Sequence, residues 1–298
     1  VKLLVIGASG QVGHYVGWLA QKRGHHVMGT SFARPRSGLV KLDITRRDEC
    51  ESLAHIFKPD AVILAGAWTN VEKCETDPAL ARAINVEGAR NVLEAFAPTR
   101  AAMVYFSTEY VFDGKEGPYR EADPIHPISV YGRTKADAEN LLCKYPHRWL
   151  IIRTTVVYGY EPDGKNFFMQ LLNRFRKGEP MRVPSDQFSS PTFNFNLAQA
   201  TLGLIERNSL GTYHVAGNRV MSRVEFAQTI CTVFHLDHHL IQPATTAELG
   251  QKAARPLNAG LLVSKTEGEL RDVALLPPRE ALEDLKKNWD TYAASWEE

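Results

Sequence analysis

An excess of either charge, paired cysteines and long apolar runs are all missing from this sequence. Its 298 residues carry 35 basic and 34 acidic side chains, a formal charge of +1. No field of one sign therefore draws it to nucleic acid or to an anionic membrane surface. The four cysteines, Cys50, Cys74, Cys143 and Cys231, are scattered and form no Cys-x-x-Cys pair. Structural thiols in a reducing, cytoplasmic setting are the expectation, and zinc is not. No apolar stretch approaches the ~20 residues of a membrane span. The opening Val1-Lys2-Leu3-Leu4-Val5-Ile6 runs straight into Gly7, with no basic flank and no small-residue cleavage site, so it reads as buried strand rather than leader. Clusters of His, Asp and Cys at ligand spacing are absent, and the pair His238-His239 falls in a loop where solvation accounts for it, so no metal is expected.

What is present is an alternation of short apolar runs and amphipathic stretches over the first ~160 residues, the pattern of a doubly wound α/β fold with a parallel sheet. Lys2 to Ile6 is the first strand. Gly7-Ala8-Ser9-Gly10-Gln11-Val12-Gly13 follows at once, then apolar residues at helical spacing. A strand, a glycine turn and a helix in this order make a dinucleotide site: the backbone approaches a pyrophosphate with no Cβ in the way, and the helix N-terminus points free N–H groups at it. The spacing is Gly-x-x-Gly-x-x-Gly rather than Gly-x-Gly-x-x-Gly. A carboxylate near the end of the second strand, His25 to Ser31, would bind the ribose 2′-hydroxyl of NAD, but no Asp or Glu occurs between Gly13 and Asp43. That turn carries Ser31, Arg34 and Arg36 instead, and guanidinium forks suit a 2′-phosphate. NADPH is therefore favoured over NADH.

Further strands are expected over Leu39 to Ile44, ending in Asp43-Ile44 where adenine would lie, and over Ala61 to Ala67, ending in the small residues Ala65-Gly66-Ala67. Thr69 and Val71 lie just past that end, before one long helix from Pro78 to Ala97. Ala102 to Ser107 is the fifth strand, and Thr108-Glu109 sits beyond its carboxyl end, the side on which open α/β sheets bind ligands. After a proline-rich loop comes Tyr131-Gly132-Arg133-Thr134-Lys135, and then an apolar strand, Trp149 to Tyr158. Tyr131 and Lys135 share one helix face, a turn apart. An ammonium beside a phenol, whose ordinary pKa is ~10, makes the phenol a more usable acid. Beyond residue 160 the alternation loosens into helices and short extended pieces. The division expected is a dinucleotide-binding domain over 1–159, rejoined by 193–220, and a smaller α+β substrate-binding part over 160–192 and 221–298.

The glycine string, Thr108 and the Tyr/Lys pair, in this order, resemble an extended short-chain dehydrogenase/reductase with a Rossmann-type sheet. Ser107-Thr108-Glu109-Tyr110-Val111-Phe112-Asp113-Gly114, Ala67 to Glu75, Ser185 to Thr192 and Arg255-Pro256-Leu257-Asn258 are similar to the dTDP-4-dehydrorhamnose reductases. The chain also resembles the β regulatory subunits of methionine adenosyltransferases, over Tyr110 to Lys135, Gly211 to Leu236 and Arg255 to Lys265. The first resemblance implies NADPH-dependent reduction of a nucleotide-activated 4-keto-6-deoxysugar. The second implies an NADP-binding regulatory subunit. Epimerases of the superfamily, which carry the ribose-binding acid this chain lacks, rank last.

The resemblance also implies roles. Gly10, Gln11 and Val12 would hold the pyrophosphate, within a turn that includes Gly7, Ser9 and Gly13. Asp43 and Ile44 would hold the adenine. Ala65, Gly66, Ala67, Trp68 and Thr69 would line the cofactor, with Phe106 and Lys135 near the nicotinamide ribose. Tyr131 would be the proton donor, Thr108 its partner at the keto oxygen, and Lys135 the group that orients the ribose. Thr69, Val71, Thr108, Glu109 and Val156 would face the sugar. Gln187 and Asn166 are candidates for its hydroxyls, and Arg255 and Lys73 for its phosphates. Glu109 stands where the reductases carry Asp, and Val156 where they carry a Trp against the sugar, so the resemblance does not specify the sugar. A homodimer is compatible with it.

Overall fold

A computed structural model describes residues 1–297. Its centre is a seven-stranded sheet built from β1 (Lys2–Ile6), β2 (His26–Ser31), β3 (Val40–Lys41), β4 (Ala61–Leu64), β5 (Ala102–Thr108), β6 (Trp149–Thr154) and β7 (Gly211–His214). The order is β7-β6-β5-β4-β1-β2-β3 and every neighbouring pair is parallel. The continuous apolar runs follow from this, because side chains alternate between faces and both faces are covered. Leu3, Val5, Ile63, Val104, Leu150 and Ile152 belong to one core, with α1 (Gln11–Lys22) and α5 (Asn194–Glu206) packed on it. Leu4, Val62, Leu64, Met103 and Ile151 belong to the other, under α2 (Arg47–Phe57), α3 (Gly88–Phe96) and α4 (Val130–Leu142). The strand order reverses at β1, whose neighbours are β2 and β4, and a crevice opens there at the carboxyl ends.

The first core does not stop at the sheet. It continues into Phe168, Phe226, Leu282 and Leu285, so the helices Phe167–Phe175, Arg223–Phe234 and Pro278–Lys287 share it. Short ladders stitch the second half together: Met181–Pro184 with Ile241–Ala244, and Phe188–Ser189 with Met221–Ser222. No helix among the described residues is long and apolar enough to cross a membrane.

Three expected elements differ in extent. Only Val40 and Lys41 of the third strand enter the ladder. Trp149 to Tyr158 is not one strand: Val156 sits at φ +43°, which turns the chain out of the sheet, and Val157–Tyr158 pairs instead with Thr192–Phe193. The long helix from Pro78 breaks into Pro78–Arg82, a π turn over Ala83–Glu87, and α3.

Helix α4 is joined to the sheet by a buried ion pair. Arg153, near the end of β6, meets Glu139 in a bidentate contact at 2.7 and 3.0 Å. Burying both charges is tolerated because each fills the other's hydrogen-bonding capacity. Arg153→Met strands the carboxylate, and we expect a loss of ~3–5 kcal/mol in urea unfolding, most of it recovered when Glu139→Leu is added. Additive losses in the double variant would refute this account of the pair.

Candidate active site

At the crevice the backbone of Gly7, in the left-handed region at φ +86°, comes so close to the turn after β4 that a Cβ on it would lie 2.6 Å from the Gly66 nitrogen. Only glycine fits there. The cleft that opens beside this contact has a volume of about 1100 Å³, counting its mouth. It is walled by Gly7, Ser9, Gly10, Ser31, Arg34, Asp43, Ile44 and Ala65 to Trp68, which places most of the expected cofactor residues together. Thr30, Phe32, Thr45, Leu80 and Ile84 complete the wall and carried no motif in the sequence. Gln11, Val12 and Gly13 lie behind Gly10 in the first turn of α1, with Val12 against the core.

The reacting end lies past β5. Ser129 caps α4 by accepting from the Gly132 amide at 3.1 Å. Gly132 lets the helix press on the turn after β5, since a Cβ would fall 2.1 Å from the Tyr110 carbonyl oxygen. This contact brings Tyr131 to the Thr108-Glu109-Tyr110 turn, where the Thr108 hydroxyl lies beside the Tyr131 phenol and donates to Glu109 at 2.9 Å. Thr108, Glu109, Tyr131 and Lys135 are all buried. Burial pushes the Tyr131 phenol up, Glu109 adds to this, and the Thr108 hydrogen bond opposes it. Burial likewise pushes Glu109 above the usual carboxylate range.

The lowering of Tyr131 by Lys135, expected from their spacing, is not the balance of the ligand-free protein. Lys135 donates instead to the Phe106 carbonyl at 2.6 Å, with its ammonium 4.1 Å from the Tyr105 ring centroid. Burial pushes Lys135 itself down to about 7, with Glu139 opposing, so near neutrality it holds its proton only part of the time.

Trp68 joins the two ends. It lines the cleft and packs against the cluster that contains Tyr131 and Val71. Asn85 fixes it, accepting from the Trp68 amide at 2.7 Å and donating to the Trp68 carbonyl and the Thr134 hydroxyl, each at 3.1 Å. Asn85 lies in the π turn, and the extra residue in that turn aims its side chain inward. In the sequence it looks like any polar residue of a long helix.

Other expected site residues are committed elsewhere. Arg36 is drawn out of the cleft, its guanidinium 4.4 Å from the ring centroid of Trp296, which in turn stacks on His14 at 3.7 Å. Arg34 stays on the cleft wall but is paired with Asp163 at 2.5 Å. Asn166 caps the helix Phe167–Phe175 through Met169 and donates to the Gly159 carbonyl and to Gln11, which engages both ends of its amide in structure. Gln187 donates to Thr246 and Gln251. Arg255 reaches the reacting end, donating to the Tyr110 hydroxyl at 2.7 Å and to Glu72 at 2.8 Å. Val156 is half-buried, Thr69 is exposed, and Lys73 lies exposed on the helix Val71–Thr76.

Sheet, crevice and Thr/Tyr/Lys placement are those of a Rossmann-type member of the extended short-chain dehydrogenase/reductases. Residues 1–291 match the family described as RmlD substrate binding domain, and the chain belongs to that family. It is 32% identical over 279 residues to a dTDP-4-dehydrorhamnose reductase of Aggregatibacter actinomycetemcomitans, covering 89% of this chain and 92% of that one. It is 29% identical over 273 residues to methionine adenosyltransferase 2 subunit beta of Xenopus laevis, covering 89% and 81%. A solved dTDP-4-dehydrorhamnose reductase from Bacillus anthracis, in complex with NADP, superposes with a TM-score of 0.87 at 28% identity, covering 96% of this chain and 99% of that one.

The placement of Lys135 predicts a pH dependence. Its unfolded pKa is near ~10.4, whereas in the folded chain it is pushed down to about 7. Between these values the unfolded chain binds more protons, so stability rises with pH. In the ligand-free protein, wild type gains stability relative to Lys135→Met from about pH 7 to about pH 9 in denaturant titrations. Parallel profiles would show that Lys135 is not a desolvated ammonium.

Proposed function

We propose that the chain is an NADPH-dependent reductase of a nucleotide-activated 4-keto-6-deoxysugar. The observation that carries this reading is the convergence of Thr108, Tyr131 and Lys135 at the carboxyl end of β5, one tryptophan away from the cleft at the glycine turn. The cleft suits a dinucleotide, because Gly7 and Gly66 bring two backbones close together at its floor and the uncapped amides that open α1 are free to meet an anion.

When bound, the nicotinamide supplies a hydride to the ketone carbon. The protein's part is the proton and the charge. Tyr131 donates its phenolic proton to the keto oxygen as negative charge builds there, and Thr108 gives that oxygen a second hydrogen bond. Lys135, held by the Phe106 carbonyl, lies where it orients the ribose and offsets the phenolate. Burial pushes the Glu109 carboxyl upward, and its charge opposes formation of the Tyr131 phenolate. Residues 1–159 and 193–220 serve the cofactor, and 160–192 with 221–298 serve the sugar nucleotide. A homodimer and a cytoplasmic setting belong to the same reading, and light scattering tests the first.

With Arg36 withdrawn, Arg34 is the arginine left for the 2′-phosphate, and the phosphate has to displace Asp163 from it. Asp163→Asn should therefore tighten NADPH binding about two- to fivefold, the scale of one exposed ion pair, and leave NADH nearly unchanged. Equal shifts for both cofactors in calorimetry would exclude Arg34 from phosphate recognition.

The reductase itself is tested by NADPH oxidation with dTDP-4-dehydro-6-deoxy-L-mannose. Tyr131→Phe should lower the rate ~10²–10⁴-fold. Rates that match wild type would eliminate the mechanism. The second reading, a regulatory subunit, is favoured by the likeness to the methionine adenosyltransferase β subunits and by Val156 in place of the sugar-facing Trp. A pull-down with a methionine adenosyltransferase, with and without NADP, checks it, and absence of a complex at micromolar concentration removes it.

A further inference from the structure

Near the Thr108-Glu109-Tyr110 turn lies a guanidinium that no group among the described residues pairs. Arg223 opens the helix Arg223–Phe234, and its amide donates to the Gln187 carbonyl at 2.9 Å. The turn is locked by a reciprocal capping box, in which the Ser222 hydroxyl accepts from the Glu225 amide and the Glu225 carboxylate accepts from the Ser222 amide. The side chain is half-buried, with its guanidinium 5.0 Å from the ring centroid of Phe167. Among the described residues that guanidinium makes neither an ion pair nor a hydrogen bond.

Glu109 attracts it through space, but no carboxylate among the described residues forms an ion pair with it. Tyr110, Glu109 and Arg255 act on it through space, the last with the same sign of charge. Glu109 is held toward its neutral form by burial. Arg255 already uses Glu72 and the Tyr110 hydroxyl, yet its buried Nε has no partner. Two guanidiniums therefore lie around Tyr110, and the one carboxylate in contact with either of them among the described residues is Glu72, on Arg255. A partly desolvated cation without a counter-ion is costly, and the remedy is an anion with oxygens for both forks. Guanidinium planes match phosphate oxygens two at a time, and the Phe167 ring fixes the plane of Arg223. One phosphate would satisfy one fork, whereas two linked phosphates satisfy both.

We propose that Arg223 is a substrate-binding residue that clamps the diphosphate of a nucleotide sugar against Arg255. This deepens the reductase reading and rests on it. The proposal keeps Arg255 as a phosphate contact and pairs it with Arg223, while Lys73 is exposed on its helix.

The test is calorimetry of dTDP, dTMP and thymidine on the NADPH-loaded protein, in wild type, Arg223→Gln and Arg223→Lys, with melting temperatures as the fold check. Wild type should bind dTDP more tightly than dTMP. Arg223→Gln should weaken dTDP roughly ten- to hundredfold, the range of a charged hydrogen bond, and thymidine hardly at all. Arg223→Lys should recover part of the loss, since it restores the charge without the fork. If Arg223→Gln melts early, Arg223→Lys carries the test by its loss of dTDP over dTMP preference. Unchanged dTDP affinity in both folded variants overturns the clamp and leaves the reductase reading intact. A wild-type protein that binds NADPH but no dTDP overturns the nucleotide-sugar reading, and the clamp with it.

Discussion

The site depends on one buried contact, the Lys135 ammonium on the Phe106 carbonyl. A lysine amine inside a protein loses its water, and it is tolerated only where another group supplies what water gave. Here the carbonyl lies at 2.6 Å, the Tyr105 ring face at 4.1 Å, and Glu139 one turn further along the helix. Phe106 and Tyr105 are on the central strand β5, and Glu139 leads through Arg153 to β6. The lysine thus pins the helix that carries Tyr131 to the strand end that carries Thr108. The cost of burying it is met by interactions that also set the distance between proton donor and oxygen-binding hydroxyl.

Backbone contacts that only small residues permit perform the second half of the assembly. Gly132 admits the Tyr110 carbonyl, and Gly7 admits the turn at Gly66. Without the first, Tyr131 would stand away from Thr108; without the second, the cleft would be filled. Trp68, held by Asn85 from the π turn, makes cofactor wall and catalytic cluster one packed unit. The backbone is least regular where function concentrates: a π turn at Asn85 and a β-branched residue, Val156, in the left-handed region. Val156 also marks where the chain leaves the nucleotide-binding sheet for the part that covers the cleft.

Much of the frame was legible before any coordinates. The apolar runs marked the strands, because a strand covered on both faces needs no polar alternation. The glycine turn after β1, the small residues after β4 and Thr108 after β5 could all be placed at the carboxyl end of a parallel sheet from order alone. Side-chain commitments were not legible. Arg34 and Arg36 are both guanidiniums on one short loop, yet one faces the cleft and the other stacks on Trp296, from the far end of the chain. Asn166 has the chemistry of a hydroxyl contact but caps a helix. Asn85 and Arg223 belong to no motif, and only their neighbours give them a role.

By itself the sequence determined the fold class and placed the glycine turn, Thr108 and the Tyr131/Lys135 pair along it, because periodicity and spacing are local. The tertiary structure decided which charges are paired and which are left for a ligand. It also decided that Lys135, rather than Tyr131, is the group moved toward neutrality. Those outcomes depend on burial and on partners more than a hundred residues away in some cases, such as Arg34 with Asp163 and Tyr110 with Arg255. Electrostatic balance is set by what surrounds a group in space, and no local pattern records it.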